Sequence, residues 1–256
     1  MPVTDRISDK NLIELAKQQY ESAKQTMIPA NAVSLPSLGK VYPESSPLRK
    51  GYVELRHMTA YDEDILSNTT YIKQGIVFDK LLESLLITPI SLDDVISADK
   101  EAMIISARIH GYGADYPVTI VDPNTKNVLQ RTLKLDKLKT RNIETESDEN
   151  GEFTYLIGNH SIKYRHISSK LLSTISEQNS ISQLLERSIT EINGSRKSAD
   201  IVDFIRYQMT PLQSKQFRKH LEDTVPRLLL QAEFDGEDGG TITAGFQFGS
   251  DLFWFE

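Results

Sequence analysis

Residues 9 to 27 place Leu12, Ile13, Leu15, Ala16, Tyr20 and Ala23 at helical spacing, with Lys and Gln between them. That period predicts an amphipathic helix ending towards Pro29. Over the next twenty residues Pro36, Pro43 and Pro47, with Gly39 and Gly51, exclude a regular helix and point to a stiff, extended crossing. Its most apolar part, "LPSLGKVYP" (residues 35 to 43), has two readings: a brace inside the fold, or a docking segment for another protein. "GYVELRHM" then alternates as a half-exposed strand does. Thr59 followed by Asp62 is a capping signal that opens a helix over "AYDEDILSN". "IVFDKLLESLL" carries Val77, Phe78, Leu81, Leu82 and Leu85 on one stripe and is the clearest buried helix. A short acidic turn at Asp93 and Asp94 leads into another helix, "DKEAMIISARIHGYG", predicted to stop at Gly111.

The period then shortens to two. "YPVTIVD" and "NVLQRTLKL" flank Asp122, Pro123 and Asn124, and "FTYLIG" and "SIKYRHI" flank a "GNH" turn, so each pair reads as two strands joined by a short connection. From Ser168 the helical period returns through "SSKLLSTISEQNSISQLLERSITEING" and "SADIVDFIRYQM". Thr210, Pro211 and Gln213 combine an N-cap, a first-turn proline and a capping-box partner, a firm start for the helix "TPLQSKQFRKHLEDTV". "RLLLQAEF" and "TITAGFQF" read as a hairpin around "DGEDGG". The pattern as a whole predicts an α+β fold, with helical N-terminal and C-terminal parts around a β-rich middle and a C-terminal β-hairpin. Four stretches follow from it: an N-terminal helix (1–32), a helical region with its brace (33–114), a β-rich unit (115–167), and helices with the hairpin (168–256).

At 256 residues the chain is long enough to bury a core without staples. Its formal charge of −7, from 36 acidic against 29 basic residues, sets a long-range field that repels phosphate and disfavours dedicated DNA binding. The absence of cysteine removes disulfides, thiolate zinc sites and cysteine nucleophiles. No signal-peptide core and no run near the roughly 18 to 20 apolar residues of a membrane span occurs, so a cytoplasmic protein without membrane contact is expected. In that compartment the sequons at Asn68, Asn159 and Asn193 carry no meaning.

Candidate chemistry is sparse. Lys134, Lys137, Lys139 and Arg141 form the densest basic patch, but Asp136 interrupts it and no aromatics interleave, so a solvated face is the plainer reading. Asp235, Glu237 and Asp238 lack the ligand pattern of a calcium loop. The five histidines, His57, His110, His160, His166 and His220, contain no i, i+4 pair for a helical zinc site. "NGSRKS", with Gly194, Lys197 and Ser198, lacks the Gly-Lys adjacency of a phosphate loop. Asp62, Glu63 and Asp64 would serve a hydrolase only with another carboxylate facing them across a cleft. The remaining apolar feature is Leu252, Phe253, Trp254 and Phe255 near the C-terminal end, either the last strand of the core or a plug for a partner, the core being favoured.

The succession "LPSLGKVYP", "GYVELRHMTAYDEDILSN", "GIVFDKLLESLL", "ADKEAMIISARIHGYGADYPVTI" and closing "FWFE" resembles the baseplate hub and hub-assembly proteins of T-even-like contractile-tailed phages. The resemblance covers residues 33 to 122 well and the C-terminal end weakly. It implies a non-enzymatic assembly protein in the cytoplasm of an infected bacterium, a chaperone or a component of the tail baseplate hub, with no cofactor, and with other tail or hub proteins as partners. On that reading Leu35, Leu38 and Tyr42 of the apolar segment and Phe253, Trp254 and Phe255 of the tail are the candidate partner-binding residues. A tail-tip cell-wall hydrolase and a permanent hub subunit are the alternatives, and a nucleic-acid contact through residues 134 to 141 is a third. Similar members often carry Cys pairs after the "YPVTI"-like strand and near the C-terminal hairpin, which suggests a zinc knuckle. Here those stretches read "VDPNTKN" and "EFDGEDGGT", so thiolate zinc binding is excluded and Pro and Gly chemistry is expected to hold the turns.

Overall fold

Alternation at residues 52 to 56 does form a strand: β2 (Tyr52–Arg56) pairs antiparallel with β1 (Ala30–Ser34), placing the buried Val33 opposite the buried Val53. The computed structural model describes residues 30–236, 239–247, 249 and 252–254; the helix expected over residues 9 to 27, the acids Glu237 and Asp238, and Phe255 lie outside them. Three short helices follow β2: α1 (Ala60–Leu66), α2 (Thr69–Gln74) and α3 (Val77–Leu85). The capping signal acts as expected, with Asp62 accepting from the Thr59 N–H at 2.8 Å. In α3 the side chains of Val77, Leu81, Leu82 and Leu85 are buried, and Phe78 packs at the margin of the core.

Next comes α4 (Ser97–Tyr112), which lies against β1. It does not stop at Gly111. That glycine stays in the helix and leaves room for Met58, whose sulfur would sit 3.0 Å from an added Cβ; the helix ends at Gly113, where φ is +86°.

Among the described residues eleven strands make four two-stranded sheets and one three-stranded sheet, all antiparallel. β3 (Asp115–Val121) pairs with β4 (Val128–Lys134), and β6 (Phe153–Ile157) with β7 (His160–Tyr164), as their patterns predict. β5 (Lys139–Arg141) instead crosses to β9 (Arg227–Leu229). After α5 (Ser169–Ser173) and α6 (Ser180–Ser188), the helical period read through residues 189 to 194 gives way to β8 (Ile189–Ile192), which joins the open edge of β7. Ile189 and Ile192 are three apart and so fit a helical stripe; the edge that recruits them is a tertiary feature. α7 (Ser198–Asp203) runs into a π turn at Phe204–Gln208, and α8 (Pro211–Thr224) opens on the Thr210 and Gln213 capping box. β10 (Gln231–Asp235) and β11 (Thr241–Gly245) form the expected hairpin, its "RLL" lead-in belonging to β9.

This is an α+β fold around one continuous apolar cluster, in which Val53, Leu81, Met103, Ile162 and Phe217 are fully buried. Tyr155 and Tyr164 of the three-stranded sheet meet Phe217 and His220 of α8, ring centroids 4.2 to 5.5 Å apart. The pairings of β5 with β9 and β7 with β8 join residues 115–167 to the C-terminal part by backbone hydrogen bonds.

Candidate functional site

The segment "LPSLGKVYP" is not an extended crossing. It winds through tight turns, with the N–H groups of Leu38, Lys40 and Tyr42 donating to the carbonyls of Leu35, Ser37 and Gly39. Prolines at both ends forbid a helix, but a buried acid from α4 decides which non-helical path is taken. Asp99 accepts from Ser37 N–H at 3.0 Å, Ser37 Oγ at 2.7 Å and the Tyr42 hydroxyl at 2.6 Å, and the hydroxyl in turn accepts from Ile96 N–H. Gly39 is required: at φ +79° an added Cβ would stand 2.3 Å from the Arg49 carbonyl oxygen. Arg49 clamps the outside, donating to the carbonyls of Lys40 and Tyr42 and to Ser147 Oγ.

The result sorts the candidates in this segment. Leu35 and Tyr42 are buried inside the chain, whereas Leu38, at φ +51°, is 44% exposed. Burial raises the Tyr42 hydroxyl well above its usual pKa, and the Asp99 charge adds to it. Burial likewise raises Asp99, although hydrogen bonds from Tyr42 and Ser37 oppose the shift.

A second clamp holds the tail. Arg108 of α4 is fully buried and donates to the carbonyls of Leu252 at 2.8 Å, Gly113 at 2.5 Å and Asp115 at 3.2 Å. Leu252 and Phe253 thereby enter the core, Phe253 lying 6.0 Å from both Phe78 and Tyr112, ring to ring. They do so from irregular chain, not as a last strand. Trp254 emerges at 43% exposure. Neither Asp99 nor Arg108 stands out in the sequence as a functional position. The available signal is that Asp99, Met103 and Ala107 share one face of α4 at i, i+4 and i+8, so a charge sits on an apolar stripe.

The other candidates are engaged structurally. Asp62 is fully buried and takes a bidentate pair from Arg56 at 2.7 Å, with Ser84 Oγ at 2.8 Å. Burial by itself would raise this carboxyl; the hydrogen bonds from Arg56, Thr59 N–H and Ser84, with the Arg56 charge, outweigh it and hold the pKa below the usual carboxylate value. Glu63 accepts from the Tyr112 hydroxyl, which burial and that bond push up to about 12. In the basic patch Lys134 pairs with Asp115, Lys137 with Asp136, and Arg141 donates to the carbonyls of Glu222 and Val225. The "NGSRKS" stretch is a tight turn after β8, with Arg196 paired to Glu152 and Glu191. In "VDPNTKN" the Asp122 carboxylate accepts from the N–H groups of Asn124 and Thr125, so a side chain holds this turn where Pro and Gly chemistry was expected.

His57 stacks on His110, His160 bonds Asn193, and His220 bonds the Tyr164 hydroxyl. Among the described residues no group of three metal-ligating side chains is placed to hold an ion, and no helix is long and apolar enough to cross a membrane.

What this arrangement offers is shape: a braced N-terminal region, a pinned tail, and beside them the exposed apolar side chains of Leu38 and Trp254. No curated protein and no solved structure matches the chain significantly. A family model described as "T4 bacteriophage base plate protein" matches residues 31–242, well beyond the 33–122 stretch that carries the resemblance most clearly. With most of its length matched, the chain belongs to this family of T4 bacteriophage base plate proteins.

Proposed function

We propose that this baseplate protein acts in assembly of the central hub, through contacts with other tail proteins and without bond-making chemistry of its own. The observation that carries the reading is the family match over residues 31–242, which makes the chain a phage baseplate protein associated with the virion or the infected cell. The side-chain chemistry supports it: the buried charges Asp62, Asp99 and Arg108 are each spent on holding segments of this chain together. A hydrolase working through Asp62 would first have to break its bidentate pair with Arg56, a costly step for a buried ion pair. Leu38 and Trp254 are the contact residues of choice, since both are apolar side chains left exposed beside the brace and the pinned tail.

Co-expression with the other baseplate proteins of the same phage, followed by co-purification, tests the reading. A stoichiometric complex supports it; a chain that purifies alone from every combination overturns it. Mass spectrometry of mature tails then separates the two variants, because a permanent hub subunit is present stoichiometrically and a chaperone is lost.

A further inference from the structure

A cleft of about 460 Å³ opens between the N-terminal end of α4, the β7 to α5 junction and the C-terminal end of α8. Ile96, Ile167, Leu172, Leu184, Leu221 and Val225 make it largely apolar. Leu172 is exposed, as are Leu171 and Ile181 on the same two helices, α5 and α6. Three arginines, Arg165, Arg218 and Arg227, line the cleft against two acids, Glu101 and Glu222. It is thus locally positive on a chain whose formal charge is −7.

Two of the residues that line it carry a buried nitrogen without a hydrogen-bond partner, Nε2 of His166 and Nε of Arg218. The His166 side chain belongs to a residue only 9% exposed. Burial, reinforced by His220, drives its pKa down to about 4, so the ring is neutral at physiological pH. Native folds rarely leave such groups unsatisfied, because each forfeits its hydration and receives nothing in return.

We propose that this cleft is the docking pocket for an acidic anchor of a partner protein: a carboxylate side chain flanked by large apolar side chains. The carboxylate pairs with the guanidinium of Arg218, beside His166, and its neighbours cover Leu172, Leu184 and Leu221. The exposed Leu171 and Ile181 extend the contact beyond the cleft. A nucleic acid fits less well, since the apolar walls offer a phosphate chain nothing. The inference rests on the baseplate reading only for the partner's identity.

Two synthetic peptides serve as probes, acetyl-Leu-Glu-Leu-Phe-amide and its Gln counterpart, titrated into the full chain carrying labelled leucine methyl groups. The Glu peptide is expected to shift the Leu172 and Leu184 signals saturably. The Gln peptide should bind at least about tenfold more weakly, because its neutral amide oxygen replaces the charged acceptor opposite Arg218. Arg218→Met should lower affinity by a similar factor with the thermal midpoint unchanged. Arg165→Met, at an exposed position, should weaken binding about two- to threefold, as a rim charge does, and serves where Arg218→Met fails to fold. Absence of saturable shifts at Leu172 and Leu184 with both peptides, or equal affinity for the two, would overturn the proposal. Co-purification with baseplate proteins is a separate readout, so the pocket can fail while the hub reading stands.

Discussion

Asp62 and Asp99 are both fully buried, yet the regions they organise hold an acid in opposite ways. At the joint between β2, α1 and α3, Asp62 faces the Arg56 guanidinium and is held ionised, its pKa below the usual value. Under the brace, Asp99 is met by a backbone N–H and two hydroxyls, with no cation in contact, and burial raises its pKa. Its place in the first turn of α4 adds the favourable end of the helix dipole, a weaker field than a paired arginine. A paired charge locks two helices onto a strand, whereas an unpaired acid shapes a loop through neutral donors and keeps its proton to higher pH.

Breaking the first joint should cost most. Arg56→Met leaves Asp62 buried without its cation and is expected to lower unfolding free energy by about 3 to 5 kcal/mol, read from urea denaturation at pH 7. Arg108→Met removes the donor shared by three carbonyls and should cost about 2 to 3 kcal/mol, with faster proteolysis near Leu252 as a second readout. Asp99→Asn removes a charge that has no cation and should cost only about 1 kcal/mol or less, the scale of one neutral hydrogen bond.

The sharper form of the comparison uses pH. Because the folded pKa of Asp62 is lowered, its stabilisation is present above the unfolded value of about 4 and is lost as pH falls through the lower folded value. Because that of Asp99 is raised, its contribution is complete below the unfolded value and is lost as pH rises through the higher folded one. Between pH 7 and 4, therefore, wild type should gain stability relative to Asp99→Asn; relative to Asp62→Asn it should lose stability only below about pH 4. Equal slopes for the two variants would remove the distinction. The smallest effect on stability belongs to the exposed pair: Leu38→Ala and Trp254→Ala should each stay within about 0.5 kcal/mol of wild type, while weakening capture of a hub partner in the co-purification assay.

Local chemistry in the chain accounts for the elements whose partners are close in sequence. The apolar stripe of α3, the capping boxes at Thr59 and Thr210, and the hairpins β3–β4, β6–β7 and β10–β11 are all readable, since each rests on spacing or a turn within a few residues. For Leu252 and Phe253 the cost of leaving such side chains in water favoured the core over a plug for a partner, without deciding between them, and both are buried. Only the tertiary structure decided that residues 189 to 192 form a strand, that β5 pairs with β9, and that "LPSLGKVYP" winds instead of crossing. The same holds for the pocket, whose arginines and His166 come from α8 and the chain around β7 and β9. In each of these cases the deciding group lies tens of residues away: the open edge of β7, or the carboxylate of Asp99 sixty-two positions beyond Ser37. Periodicity reports which face of a segment shuns water; which polar atom waits on the other side of that face is settled when the chain closes on itself.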